Sequence, residues 1–389
     1  MSRKLLISLF ILFSSAMIAI GRFYDHRLIV SGINLSIILS SFYSIFSIGV
    51  IYTIRKSFFT PNKFLANVLY FIMALSSLIL WIFYGFTEYG FEKFINLILI
   101  TIPISLIISE KFNLDDRNIF ILVLLGISFF LFLISIINFS SIINSRSGVL
   151  GGGPIILSRW LCFGSIILFF HPRISKLKYI LLILFITMSL FTGSRGPFYS
   201  LVFVFMIYIL INFTKVFWKT ILVISSLITL IYFTGIHTKL SEYNTVSRVF
   251  MNLQQGGINK STGRSVVYST SFNLIKNYPL GIGPGNFDIY SDKRQYLLSR
   301  KIFYPHNIFL EIFIEFGCLP FILFCLYIYF SMKKSYYYNI KSNREFGNLL
   351  FYTFLFLLFN SMISGDLNDA RMLLIFIPLM NLREDANNL

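Results

Sequence analysis

Long runs of apolar residues, separated by short polar stretches, make up most of this sequence. A helix that crosses a bilayer needs about 20 mainly apolar residues, and about twelve runs here are candidates, of which the seventh and the twelfth are short. Hydrophobic residues make up 56% of the 389 residues and charged residues only 13%, about half the charged fraction of an average soluble domain. The sequence therefore predicts an all-α polytopic integral membrane protein with about twelve transmembrane helices.

The predicted spans follow one another closely, apart from one long polar interval. They are Leu5–Ile20, Leu28–Ile54, Phe64–Phe86, Phe94–Ser109, Ile119–Phe139, Ile155–Phe170, Tyr179–Thr192, Pro197–Phe213, Thr220–Gly235, Asn307–Ser331, Asn348–Ile363 and Arg371–Leu382. The first resembles a signal peptide but leads directly into further spans, so we expect it to be retained as a helix. The chain then divides into transmembrane residues 1–236, a large outer loop at 237–305 and transmembrane residues 306–389.

Basic residues are distributed unevenly between the two sides. With the N-terminus inside, the inner segments are rich in Lys and Arg, whereas the short outer loops hold only Arg22, Arg27, Lys93, Arg146, Arg195 and Arg371. This positive-inside bias places both termini on the cytoplasmic side. The net charge of +17 does not predict nucleic-acid binding, because the basic residues fall in short clusters between apolar runs and no nucleic-acid-binding motif is present.

Arg195 lies in "FTGSRGPF" between two apolar runs, with almost no loop around it. An arginine near the bilayer centre costs about 2.5–3.5 kcal/mol or more, so its side chain is expected to face a wet cavity; a snorkelling arginine at the interface is the alternative. The flanking Gly193 and Gly196 would let a ligand approach the backbone, and a guanidinium fork matches phosphate oxygens. Arg159, just inside the sixth span, is expected to face the same cavity, whereas Arg146 is expected to be a solvated loop residue.

Histidine is the natural general base near neutral pH. Of the four histidines, His306 precedes Asn307 and a predicted helix start, His171 is predicted to be cytoplasmic, and His26 and His237 have no supporting residues nearby.

Two glutamates follow His306 in the same apolar run. At about 100° per residue Glu311 and Glu315 share one helix face, and His306 points about 140° and 180° away from them. A His–Glu dyad within this helix is therefore not expected, and the glutamates are assigned to interhelix packing or to a different wall.

The glycine-rich stretch "GIGPGNF" contains Gly281, Gly283 and Gly285. Its spacing differs from the dinucleotide-binding fingerprint, and Pro284 interrupts it. A tight structural turn and a backbone anion nest are both open readings of this stretch.

Three motifs together carry a resemblance to a known family. The segment "PHNIFLEIFIEFG", preceded by "NYPLGIGPGNF" and much earlier by "GSRG" at the end of a span, resembles the O-antigen polymerase and O-antigen ligase superfamily of bacterial envelopes. The predicted topology, with one large periplasmic loop before a late helix, is similar too.

This resemblance implies a glycosyltransferase of the bacterial inner membrane whose donor is a polyprenyl-diphosphate-linked oligosaccharide. The catalytic residues that it implies are His306, acting on the acceptor hydroxyl, and Arg195 and Arg264, binding the diphosphate. Substrate-binding roles are expected for Arg159, Asn307, Gly281, Gly283 and Gly285. No metal and no cofactor are expected, and the expected partners are membrane lipid and a chain-length regulator protein, with no nucleic acid.

We expect a polymerase, for which the acceptor is another lipid-linked repeat unit. A ligase, for which the acceptor is the lipid A core, is the first alternative. A polysaccharide or small-solute transporter is the second; it would require broken helices and polar residues near the midplane.

The side assignment predicts the result of reporter fusions. A reporter fused after Phe287 should read as periplasmic, and one fused after Lys341 should read as cytoplasmic, because the loops alternate across the membrane with the basic ones inside. Paired alkaline phosphatase and green fluorescent protein fusions measure this, and the opposite result at either position would overturn the topology.

Overall fold

The computed structural model describes residues 3–23, 25, 28–53, 61–145, 148–150, 152–175, 177–212, 263–291, 302–341 and 345–381. Within these ranges the protein is almost entirely helical, with one small antiparallel hairpin formed by β1 (Ile29–Val30) and β2 (Ile33–Asn34). The helices are α1 (Arg3–Ile20), α2 (Leu35–Thr53), α3 (Pro61–Tyr84), α4 (Glu88–Asn96), α5 (Ile102–Lys111), α6 (Leu114–Ile137), α7 (Phe139–Ser145), α8 (Pro154–Phe170), α9 (Lys178–Phe191), α10 (Arg195–Ile211), α11 (Gly263–Asn277), α12 (Phe287–Tyr290), α13 (Ile308–Phe316), α14 (Cys318–Ser335), α15 (Glu345–Ile363) and α16 (Arg371–Asn381). The all-α fold predicted from the sequence is confirmed.

The membrane-spanning character of the chain is also confirmed. Seven of the described helices are long and apolar enough to cross a bilayer, and four more are shorter but apolar. Each predicted span overlaps a helix, except Thr220–Gly235, which lies outside the described residues together with His26, Arg146 and His237. The protein is a multi-pass membrane protein.

Several predicted span boundaries are wrong. The span predicted at Leu28–Ile54 begins later, at Leu35, because the residues before it form the hairpin, and two further differences bear on the candidate site. The span predicted at Phe94–Ser109 begins earlier, at α4, because the Thr87 side chain accepts a hydrogen bond from the Gly90 N–H and caps the helix. Lys93, assigned to an outer loop, is therefore inside a helix and fully buried. The span predicted at Asn307–Ser331 is interrupted at Gly317, whose φ of 93° ends α13 before α14 begins.

The chain packs as two compact units. The first contains Met1–Val123, Ser261–Phe354 and Ser361–Leu389, and the second contains Leu124–Lys260 and Leu355–Asn360. The domain boundaries predicted from the sequence divide the chain by sequence order, whereas these two units are defined by packing. The predicted boundaries therefore stay a prediction.

The second unit is built on α8, α9 and α10, which pack against one another. Its core includes Phe132, Leu161 and Phe185. Gly164 allows the close approach of α8 to Phe185, whose ring lies 2.7 Å from where a Cβ would stand.

In the first unit, the described part of the long loop predicted to be outer is hydrogen-bonded to the end of α3. The Tyr290 hydroxyl donates to the Tyr84 carbonyl at 3.0 Å, the Trp81 Nε1–H to the Pro284 carbonyl at 3.3 Å, and the Asn286 amide to the Gly85 carbonyl at 3.1 Å. Helix α11 packs against α13. This part of the loop is therefore folded structure that abuts α13.

Two glycines allow the backbone of the loop to contact the backbone of α4 directly. A Cβ on Gly90 would stand 2.0 Å from the Pro284 carbonyl oxygen, and one on Gly285, whose φ is 76°, would stand 2.3 Å from the Gly90 nitrogen. Only hydrogen side chains fit at these two positions.

Replacing Gly90 by alanine should lower stability, because the new methyl group forces the loop away from α4. An overpacked site typically costs about 1–3 kcal/mol, which should appear as a lower melting temperature of the detergent-solubilised protein, followed by tryptophan fluorescence. The matched control is Gly126→Ala in α6, where a Cβ meets nothing within 4 Å. Equal melting temperatures for the two variants would contradict this packing.

Candidate active site

His306 lies in a sharp turn immediately before α13. Its φ is 58°, a left-handed conformation that non-glycine residues adopt uncommonly. The imidazole is half-buried and packs edge-on against the Tyr304 ring, with centroids 4.5 Å apart. Strained backbone of this kind is concentrated at functional sites, which makes this turn the centre of the candidate site.

Charged groups of both signs face the imidazole. Burial lowers the pKa of His306, the Arg264 charge lowers it further, and Asp366 and Asp369 act in the opposite direction. Arg264 is exposed in the first turn of α11, and the two aspartates lie in the turn before α16. The imidazole is therefore mostly neutral at pH 7, the form that can accept a proton. The structure brings together His306 and Arg264, two of the three residues predicted to be catalytic.

Asn307 caps α13. Its side-chain oxygen accepts hydrogen bonds from the N–H groups of Phe309 and Leu310, and its amide group donates to the Met362 carbonyl at 3.1 Å. These bonds fix the helix start directly after His306. The substrate-binding role assigned to Asn307 stays a prediction.

The two glutamates of α13 bind a lysine that the sequence did not identify as part of the site. Lys93 Nζ lies 2.5 Å from Glu311 Oε1 and 2.7 Å from Glu315 Oε1, and none of these side chains has any exposed surface. The assignment of the glutamates to interhelix packing agrees with this geometry. The angle computed between His306 and the glutamates does not apply, because His306 lies before the helix and not within it.

The turn before α16 is linked to α4 and to α13, and the first residue of α16 is linked to α1. The Tyr89 hydroxyl donates to Asp366 Oδ2 at 2.5 Å, and the Leu367 N–H donates to Glu311 Oε1 at 3.0 Å. Arg371 was predicted to be an outer-loop residue. It is instead buried, and its Nε and Nη2 donate to the Ile18 carbonyl at the end of α1.

The glycine-rich turn pairs with the C-terminal end of α13 through the backbone. The Ile282 N–H donates to the Ile314 carbonyl at 2.8 Å, and the Gly283 N–H donates to the Glu315 carbonyl at 3.0 Å. A Cβ on Gly281 would stand 2.7 Å from the Gly317 nitrogen. These contacts support the structural-turn reading; anion binding by Gly281, Gly283 and Gly285 stays a prediction.

Arg195 and Arg159 belong to the second unit. Arg195 is half-buried and is the first residue of α10, two residues after Gly193, whose φ is 65°. Arg159 is buried in the second turn of α8. In the same helix Ser158 hydrogen-bonds with Ser189 of α9 at 2.8 Å. Their predicted roles in substrate binding stay predictions.

Residues 180–325 match the family described as O-antigen ligase. The matched interval covers less than half of the chain and contains Arg195, Arg264 and His306. The resemblance to the O-antigen ligase and polymerase superfamily is thereby confirmed over this interval. No curated protein matches the chain.

The charges around His306 predict opposite shifts in its titration. Arg264→Gln removes a cation and should raise the pKa of His306, whereas Asp369→Asn removes an anion and should lower it. The rate at which diethyl pyrocarbonate modifies the His306 peptide, measured by mass spectrometry from about pH 5 to 8, reports this pKa, because only neutral imidazole reacts. Arg22→Gln is the control, since Arg22 pairs with Glu92 at 3.0 Å. Shifts of the same sign in the two test variants would contradict the geometry.

Proposed function

Because residues 180–325 match the O-antigen ligase family, we propose that this protein is a glycosyltransferase that polymerises the repeat units of a surface polysaccharide. It transfers a glycan from polyprenyl diphosphate to a sugar hydroxyl of another lipid-linked repeat. The reaction takes place at the periplasmic face of the inner membrane, with both termini in the cytoplasm. The family match itself indicates an activity of the O-antigen ligase and polymerase type.

The observation that carries the proposal is the His306 turn beside Arg264. A half-buried imidazole with a lowered pKa suits a general base, which must be neutral before it accepts a proton. The exposed Arg264 side chain supplies a guanidinium that can bind two phosphate oxygens at once. A base and an anion-binding group are the two functions that this transfer needs.

The proposed transfer accounts for each bond formed and broken, for the proton and for the leaving group. The acceptor oxygen attacks the anomeric carbon of the donor sugar while His306 takes the hydroxyl proton. The bond between the anomeric carbon and the phosphate oxygen breaks, and polyprenyl diphosphate leaves with the electron pair. Arg264 stabilises the negative charge that develops on it, the task that metal ions perform in other enzymes; the same role is proposed for Arg195 from the family resemblance alone. Arg159 binds the substrate, which is the role expected for it from the sequence.

The membrane embedding fits this substrate. A polyprenyl tail stays in the hydrocarbon core while the sugars need water, so the reacting bond must lie at the interface. The His306 turn directly precedes a short helix and lies outside the seven long apolar helices of the described residues, which supports a position at the interface.

Two alternatives have specific support. The description of the matching family as O-antigen ligase favours transfer to the lipid A core, which needs the same base and anion site with a different acceptor. A transporter requires broken helices, and the interruption at Gly317 between α13 and α14 is one such break.

Replacement of His306 should abolish transfer. His306→Asn is the sharpest variant, because asparagine tolerates a positive φ and therefore keeps the turn while removing the base. The control is His171→Asn: His171 Nδ1 accepts the Arg173 N–H at 3.2 Å, and an asparagine oxygen can replace it. Complementation of a strain lacking the gene, with glycan length read on gels and protein level by immunoblot, measures the effect. Glycan of normal length from the His306→Asn strain would refute the role of His306 as the general base.

The arginines should show a graded response. Losing one contact to a developing anion commonly costs about 2.7–4 kcal/mol, a hundredfold or more in rate. Arg195→Lys and Arg264→Lys keep the charge but lose the fork, so they should retain part of the activity, whereas the alanine variants should not.

The glycan phenotype of the inactive variants separates the candidate functions. Single-repeat glycans on the surface indicate a polymerase. Long chains that stay on the polyprenyl carrier and never reach surface lipid indicate a ligase. Loss of all lipid-linked glycan from the periplasmic face indicates a transporter.

A further inference from the structure

Helix α13 determines where His306 stands. Asn307 is the one residue between His306 and Ile308, at which the helix begins. The helix is nine residues long, and on its inner face Glu311 is followed one turn later by Glu315. Any group that fixes the first turn of α13 therefore also fixes the catalytic turn.

Glu311 is bonded to two different elements at once. Its Oε1 accepts from Lys93 Nζ of α4 at 2.5 Å and from the Leu367 N–H at 3.0 Å. Leu367 directly follows Asp366, one of the two aspartates that face His306. The carboxylate thus ties the turn carrying His306 to the turn carrying its acidic neighbours.

Glu315 provides an internal comparison. Its Oε1 accepts from the same Lys93 Nζ at 2.7 Å, and its carboxylate also interacts with the Gly285 backbone. Among the described residues it makes no hydrogen bond to the turn before α16. The two glutamates therefore share charge, burial and lysine partner; Glu311 has the additional bond to Leu367, and Glu315 has the interaction with the Gly285 backbone.

Stability alone does not account for this cluster. Two carboxylates face one ammonium group, and Oε2 of each glutamate is buried with no hydrogen-bond partner among the described residues. Buried ion clusters are often no more stable than well-packed apolar residues of similar volume. Their defined geometry, by contrast, is what a precisely oriented catalytic group requires.

We infer that Glu311 is a positioning residue for His306, holding the catalytic turn against the acidic turn at Asp366 and Asp369. This inference rests on the proposed role of His306 as the base. Among the described residues, four groups face the imidazole: Arg264 from α11, Asp366 and Asp369 from the turn before α16, and the Tyr304 ring. Releasing the acidic turn leaves Arg264 as the dominant charge beside His306.

The test compares Glu311→Gln with Glu315→Gln. Each removes one carboxylate charge from Lys93, but only the first weakens the bond to Leu367. The full-length proteins are reconstituted in liposomes with the polyprenyl-linked glycan fraction extracted from the deletion strain, and the transfer rate is measured across pH. Glu311→Gln should slow transfer roughly ten- to hundredfold, the effect of misplacing a reacting group by up to about 1 Å. Its acid limb should move to lower pH, while Glu315→Gln should keep the wild-type profile.

Each outcome is decisive. Equal losses in both variants, or a slower rate with an unshifted pH profile in Glu311→Gln, would mean that the cluster only supports the fold and would overturn the inference. Wild-type kinetics in Glu311→Gln would overturn it as well. His306→Asn is assayed in parallel: if it is active, the proposed function of the site fails, whereas if it is inactive while Glu311→Gln is normal, only the positioning role fails.

Discussion

The first unit depends on one buried ammonium group. The Lys93 ammonium group binds the carboxylates of Glu311 and Glu315, and none of the three side chains has exposed surface. It joins α4 to α13, a helix more than two hundred residues later in the chain. Removing one partner of a buried ion pair costs about 3–5 kcal/mol, because the remaining charge is left without compensation. The apolar surroundings that make the cluster costly to form also make it strongly directional, so α13 has one orientation against α4.

Backbone contacts complete what the ion cluster begins. The glycine-rich turn reaches α4 and the end of α13 at distances that leave no room for side chains, as at Gly90 and Gly285. The positive φ of His306 is stabilised from the other side by the Asn307 cap and its bond to Met362. A strained turn persists only where its neighbours determine it in this way.

The helices could be predicted from the sequence, because length and apolar composition are local properties of a chain. The helix start directly after His306 could be predicted too, because its motif is contiguous. Lys93 was missed because its partners are distant in sequence, and a lone lysine beside two glutamates in "TEYGFEKF" has the pattern of a solvated helix end. The break at Gly317 was missed for a different reason: a glycine within an apolar run does not reveal whether its φ is positive. A buried glutamate pair, once recognised, would have called for a buried cation, and that is the signal that could have led to Lys93.

Arg371 changes how the first helix of the chain is to be regarded. Its guanidinium donates twice to the Ile18 carbonyl, and the guanidinium occupies the space where a Cβ on Gly21 would stand. The segment that most resembles a cleavable targeting signal is therefore also the acceptor for a buried cation of the last described helix. Proteolytic processing after α1 would withdraw that acceptor from the residue next to the acidic turn. Retention of α1 therefore preserves the buried acceptor of Arg371, the residue at which α16 begins after the turn of Asp366 and Asp369.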